Sequence, residues 1–164
     1  MIKLWYDKEG VLKFEHPETC TSGTIEDPIR DSRVVAYLAL GYTIPTEDIS
    51  EYKQQKITEI NSKCAETIMD GFISSALGEP YLYDSAEVDQ LNLIGAISLN
   101  MDLPYRCTKI GTGSKEFYLH SAAQLRQVGL DGAMFKLYNL EKAATLKSLV
   151  NPCTTTVELS NISW

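Results

Sequence analysis

A helix-start signal at Ser121, followed by a long amphipathic segment, constrains the fold of this chain more than any other feature. Ser121 and Gln124 fit the capping-box pattern, in which a hydroxyl accepts the amide hydrogen bond of the third helical residue and the glutamine returns to the cap amide. Apolar or small residues then recur at helical spacing: Leu125, Val128, Gly132, Phe135, Leu140, Ala144 and Leu149. The sequence therefore predicts a long helix with one buried face, which Asn151-Pro152 ends.

A second long helix is predicted over residues 46–69. Thr46 is its cap candidate, and acidic residues follow where the helix dipole favours them. Its apolar stripe consists of Ile49, Ile57, Ile60, Cys64 and Ile68. Asp84 with Glu87 gives a capping-box-like start for a shorter third helix.

Short alternating segments predict antiparallel hairpins. Residues 2–6 and 11–15 flank a tight turn, as do residues 105–108 and 116–119, and Tyr81-Leu82-Tyr83 alternates as a strand does. Ser32 is a cap candidate for a short helix over residues 34–40 that Gly41 ends. The fold class predicted from these elements is α+β and mostly helical, with two long helices packed together, a shorter third helix and small antiparallel β-hairpins.

The elements predict three parts of the chain. Residues 1–44 form an N-terminal appendage of a β-hairpin and a short helix, and residues 45–152 form a helical domain. Residues 153–164 are a C-terminal extension rich in β-branched residues and ending on Trp164. Two interpretations compete for this extension, an added strand in this protein or in a partner, and a frayed end. The composition favours an ordered strand.

Composition excludes several classes of protein. The 164 residues are 44% hydrophobic and 23% charged, as in globular domains, and the net charge is −7. Proteins that bind the phosphate backbone concentrate positive charge, so nucleic acid is not an expected partner. No apolar run approaches the roughly 20 residues that a membrane-spanning helix needs, and the first ten residues lack the apolar core of a signal peptide. We expect synthesis in the cytoplasm and no membrane association.

No residue pattern indicates catalysis, a cofactor or a metal. The densest carboxylate group, Asp84, Glu87 and Asp89, lies where a first helical turn favours acidic residues for structural reasons. His120 lies beside a helix cap and lacks a nucleophile in any recognisable order. The four cysteines, Cys20, Cys64, Cys107 and Cys153, show no metal-binding spacing. They are predicted to be reduced thiols, with a disulfide as the alternative in an oxidised particle. The sequence predicts that the protein is not an enzyme.

Two segments carry a family resemblance. Residues 120–129, HSAAQLRQVG, and residues 56–98, which include a Gly-Phe, a Ser-Ser-Ala-Leu-Gly turn and an Asp-Gln-Leu-Asn helix, resemble a domain family of bacteriophage tail and tail-fibre proteins. The resemblance spans residues 49–150. Some members are encoded near tail-fibre assembly chaperones, and the family supplies no catalytic or binding residue.

The resemblance implies a structural protein of the bacteriophage tail, tail fibre or baseplate that acts through protein–protein contacts in the virion tail. The alternative is a tail-fibre assembly chaperone that binds the fibre transiently and is absent from the mature virion. Expected partners are other tail or tail-fibre proteins and further copies of the chain, in threefold or sixfold symmetry. The residues predicted to make contacts are Tyr81, Tyr83, Val157, Leu159, Ile162 and Trp164.

Overall fold

A computed structural model of the chain describes residues 3–6, 11–16, 21–25, 31–39, 48–111 and 113–164. The strands are β1 (Lys3–Tyr6), β2 (Leu12–His16), β3 (Thr21–Thr24), β4 (Phe72–Ser74), β5 (Tyr81–Tyr83), β6 (Leu103–Lys109) and β7 (Lys115–His120). The helices are α1 (Ser32–Ala39), α2 (Ser50–Met69), α3 (Glu87–Ser98), α4 (Ala122–Val150) and α5 (Thr156–Ser160). No helix in the described ranges is long and apolar enough to cross a membrane.

The chain divides into two compact units. The first contains Met1–Lys56 and Leu149–Ser163, and the second contains Ile57–Ser148 together with Trp164. The two long helices, α2 and α4, each contribute residues to both units. The predicted division at residues 44 and 152 stays a prediction.

The first unit contains a three-stranded antiparallel sheet in the order β1-β2-β3. The predicted hairpin of β1 and β2 is confirmed, with Leu4 paired to Phe14. Strand β3 was not predicted, because its sequence, Thr-Ser-Gly-Thr, is typical of turns. Gly23 pairs with Phe14 across the strands, and a Cβ at Gly23 would lie 2.9 Å from the Phe14 ring. The glycine therefore makes room for a core aromatic ring. Among the described residues of this unit, one buried apolar cluster contains Leu4, Leu12, Phe14, Ile25 and Val34.

The second unit contains a four-stranded antiparallel sheet in the order β4-β5-β6-β7. Successive side chains of a strand point to opposite faces. One face carries Phe72, Tyr83 and Cys107, which join Leu93 of α3 and Val128 of α4 in a single buried cluster. The other face carries exposed side chains, namely Ile73, Phe117 and Leu119.

The predicted architecture of two long helices with a shorter third helix and small hairpins is wrong, because the strands form two antiparallel sheets, although the α+β class broadly fits. Strand β5 pairs with β6 through Tyr81 and Lys109, even though α3 lies between them in the sequence. This pairing joins the hairpin of β4 and β5 to the hairpin of β6 and β7. The strands therefore form sheets, in which central strands satisfy the backbone groups that isolated hairpins leave unpaired.

Helix α4 begins as predicted. The backbone amide of Ser121 donates to Gln124 Oε1 at 2.8 Å, and the backbone amide of Gln124 donates to Ser121 Oγ at 3.2 Å. Helix α3 differs, because its cap residue is Ala86 and no side chain caps it. The Asp84 carboxylate instead pairs with Lys115 of β7. Helix α2 begins at Ser50, whose amide donates to Asp48 Oδ1, and its predicted cap Thr46 lies outside the described residues.

The buried stripe of α4 departs from the prediction after Phe135. Leu140, Ala144 and Leu149 are exposed, and the buried positions are instead Asn139, Ala143 and Val150. Asn139 is tolerated there because its side-chain amide donates to the Phe135 carbonyl oxygen at 2.9 Å. The backbone carbonyl oxygen of Asn139 accepts from the Cys64 thiol of α2 at 3.5 Å. The sequence pattern predicts Leu140 in the buried stripe, whereas the buried residue is the neighbouring Asn139.

The predicted C-terminal strand is wrong, because residues 156–160 form α5. Thr155 Oγ1 accepts from the Glu158 amide, and the Glu158 carboxylate accepts in return from the Thr155 amide. This reciprocal capping box begins a helical turn despite the β-branched residues around it. Leu159 of α5 and Ile162 are buried.

Candidate interaction groove

The structure places most of the residues predicted to make contacts in the interior. Tyr81 and Tyr83 lie on the buried face of β5, where Tyr81 packs edge-on against Tyr118 with ring centroids 4.9 Å apart. Leu159 and Ile162 are also buried, so these four side chains do not present a surface to a partner. Val157 is exposed.

Trp164, the remaining predicted contact residue, is half-buried. The Lys142 ammonium lies 4.3 Å from the centroid of its ring, within the range of a cation–π interaction. The ring is therefore held against α4 of its own chain, and a partner contact by Trp164 stays a prediction.

His120 belongs to a buried polar cluster beneath the four-stranded sheet. His120 Nδ1 lies 2.8 Å from the Tyr118 carbonyl oxygen, and Nε2 lies 2.8 Å from Tyr83 Oη. A carbonyl oxygen only accepts, so Nδ1 carries the proton and donates, and Nε2 accepts from the Tyr83 hydroxyl. Burial raises the pKa of Tyr83, which keeps this hydroxyl protonated. The hydrogen bond between Tyr83 and His120 therefore links β5 to β7 across the intervening strand β6.

The protonation of His120 links this cluster to stability. Burial lowers the pKa of His120 below its ordinary value of 6.5, and the hydrogen bond to Tyr118 opposes that shift only in part. As pH falls below about 6.5, the unfolded chain binds a proton that the folded chain resists, so the free energy of unfolding decreases. Above that pH the contribution is fully present.

We therefore expect His120→Gln to flatten the decline in stability between about pH 7 and about pH 5. Urea unfolding of the wild type and the variant at several pH values measures this difference, because the carboxylates titrate in both proteins. An unchanged slope in the variant would assign the acid sensitivity to other groups.

An apolar groove runs between α3 and α4 in the second unit. Its volume is about 290 Å³. The residues that line it are Phe72, Ser85, Gln90, Leu93, Ile94, Ile97, Arg126, Gly129, Gly132, Ala133 and Lys136. The floor is thus formed by the same buried cluster that anchors the sheet, while Ile94 and Ala133 are exposed along the sides.

Two glycines of α4 determine how closely its neighbours approach the helix. A Cβ at Gly129 would lie 2.5 Å from Ile97 Cδ1, and a Cβ at Gly132 would lie 2.7 Å from Phe72 Cζ. Glycine within a helix costs about 1 kcal/mol relative to alanine. The close packing of Ile97 and Phe72 on α4 therefore depends on residues that weaken the helix itself.

Cationic side chains mark the two ends of the groove. Lys136 Nζ donates to Gln90 Oε1 at 3.0 Å, and Gln90 Nε2 donates to the Ser85 carbonyl oxygen at 2.9 Å. At the other end the Arg126 guanidinium donates to Asn100 Oδ1. Lys136 lies ten positions after Arg126 in α4, which corresponds to about 15 Å along a helix. The groove is thus apolar in the middle and basic at both ends.

The sequence of α3 contains a signal for this groove. In α3 the exposed Val88, Leu91 and Ile94 are apolar, and they are interspersed with the polar Glu87, Asp89, Gln90 and Asn92. A surface helix usually confines its apolar side chains to one stripe that faces the core. Exposed apolar side chains outside that stripe therefore indicate a contact with another molecule.

The described residues contain no group of three or more His, Cys, Asp or Glu side chains arranged to hold a metal ion. Cys64, Cys107 and Cys153 are free thiols and buried, whereas Cys20 lies outside the described residues. Burial raises the pKa of the Cys107 thiol, which keeps it protonated and unreactive.

The second unit defines an α+β domain, in which one face of an antiparallel four-stranded sheet shares a core with α3 and α4 and a groove opens between those helices. The chain belongs to the family described as Domain of unknown function (DUF4376), whose profile matches residues 51–163. Searches of curated proteins and of solved structures each gave no match.

Proposed function

We propose that the protein is a bacteriophage tail, tail-fibre or baseplate-associated structural protein that acts through protein–protein contacts. The resemblance of residues 56–98 and 120–129 to tail-protein domains supports the phage assignment. The observation that supports action by contact is the open apolar groove between α3 and α4, since exposed contiguous apolar surface marks interaction sites.

The groove suits an apolar segment of a partner protein. An amphipathic helix binds such a groove by inserting side chains at helical spacing, and the 15 Å between Arg126 and Lys136 accommodates about three turns. Basic groups at both ends favour acidic residues flanking the apolar face of the partner. The partner expected here is therefore a tail or fibre protein with an amphipathic, acidic-ended segment.

The test combines particle composition with a matched pair of variants on α3. Ile94 lines the groove and is exposed, so Ile94→Asp places a charge in the contact while sparing the core. Val88 is exposed on the same helix and does not line the groove, so Val88→Asp controls for the added charge. The variants are supplied to phage that lack this gene. We expect the Val88→Asp variant to restore complete tails and the Ile94→Asp variant to fail.

Mass spectrometry of purified particles completes this test. A structural tail protein is present in mature tails, and Ile94→Asp reduces its amount there by about tenfold or more, as expected when a charge is buried in an apolar contact. Absence of the wild-type protein from particles whose fibres require it would establish the assembly chaperone instead. Normal tails in phage without the gene would contradict both functions.

A further inference from the structure

The side of α4 that faces away from the core is also apolar at its centre. Between residues 126 and 141, six residues of α4 fall in one sector about 100° wide, because an α-helix turns by about 100° per residue. All six are exposed: Arg126, Leu130, Ala133, Met134, Leu137 and Glu141. We call them the outer stripe of α4. Helix α4 is thus apolar on two opposite sides, as in helices that are buried between two layers.

The outer stripe is symmetric about its midpoint, which lies between Ala133 and Met134. Leu130 and Leu137 lie at equal distances on either side of it. Further out, Arg126 and Glu141, the only charged residues in the stripe, also lie at equal distances and have opposite signs. A surface that binds a copy of itself about a twofold axis requires this kind of complementarity.

We infer that two copies of the chain pair through α4, with the helices antiparallel and a twofold axis at the midpoint of the outer stripe. Leu130 then packs against Leu137 of the second copy, and Met134 lies near the axis. Arg126 faces Glu141 of the second copy, and the symmetry forms each of these contacts twice. A guanidinium has five N–H donors, so the bond from Arg126 to Asn100 leaves donors for the carboxylate.

A second copy fits the stripe better than an unrelated helix does. The apolar centre alone would accept many amphipathic helices. In an antiparallel copy, however, Arg126 of each chain meets Glu141 of the other, so both charge pairs are attractive. A parallel copy would place Arg126 against Arg126 and Glu141 against Glu141. The charges therefore select the orientation of the pair. This pairing does not depend on the proposed tail function.

A charge exchange tests the pairing in the full chain by sedimentation equilibrium. We expect the wild type to form dimers. Arg126→Glu alone brings carboxylates together twice, and Glu141→Arg alone brings guanidinium groups together twice, so each weakens the dimer by about tenfold or more. The double variant with both substitutions restores attraction in both contacts, and its dissociation constant should return to within about threefold of wild type.

A monomeric wild type, or a double variant that stays as weak as the single variants, would overturn the antiparallel pairing. Circular dichroism checks that each variant is folded, which is expected because both side chains are exposed. Leu137→Asp provides an independent disruption and should give monomers, since it buries two carboxylates at the contact. Ile94→Asp should leave the dimer unchanged, so failure of the pairing is distinguishable from failure of the groove contact.

Discussion

Phe72→Ala is expected to lower the free energy of unfolding by about 3–5 kcal/mol, as for loss of a buried phenylalanine. Phe72 is only 4% exposed and stacks on Tyr83 with ring centroids 5.7 Å apart. Its ring also lies against Gly132 of α4 and forms part of the groove floor. Removal of the ring therefore opens a cavity where the sheet meets α4. Urea unfolding followed by circular dichroism measures the loss.

Phe117→Ala is the matched control, because it removes the same side chain from the same sheet. Phe117 is 68% exposed on the outer face, where the Arg106 guanidinium lies 5.9 Å from the ring centroid. Loss of that contact costs about 0.5–1 kcal/mol at an exposed site. Similar losses in the two variants would show that the core does not lie on the Phe72 face of the sheet.

Features set by neighbouring residues in the sequence were predictable. The capping box of Ser121 and Gln124 and the hairpin of β6 and β7 depend on residues a few positions apart, and both are present. The pairing of β5 with β6 was not predictable in this way. It joins strands separated by α3, and only the assembled core, in which Tyr83 and Cys107 lie together with Leu93, brings them side by side.

The candidate site was harder to predict than the fold. Tyrosine is common both in sheets and at interfaces, so the Tyr81-Leu82-Tyr83 strand was interpreted as a contact surface. Residues two apart in a strand share a face, and Tyr81 and Tyr83 lie on the buried face of the sheet. There His120 Nε2 accepts a hydrogen bond from the Tyr83 hydroxyl. The groove instead depends on which sides of α3 and α4 meet. The sequence of α3 does not specify that choice, because its apolar and polar residues are mixed around the helix and its periodic signal is weak.

Leu159→Asp is expected to lower the free energy of unfolding by about 3–5 kcal/mol, as for an unpaired charge in the interior. Leu159 is 3% exposed, whereas Val157, two residues earlier in α5, is 69% exposed. Val157→Asp adds the same charge to the same helix and should change stability by no more than about 0.5 kcal/mol. Thermal unfolding of both variants measures the contrast. Equal and small effects would show that residues 156–160 do not pack within their own chain. They would instead support the partner contact that the sequence of this segment predicts.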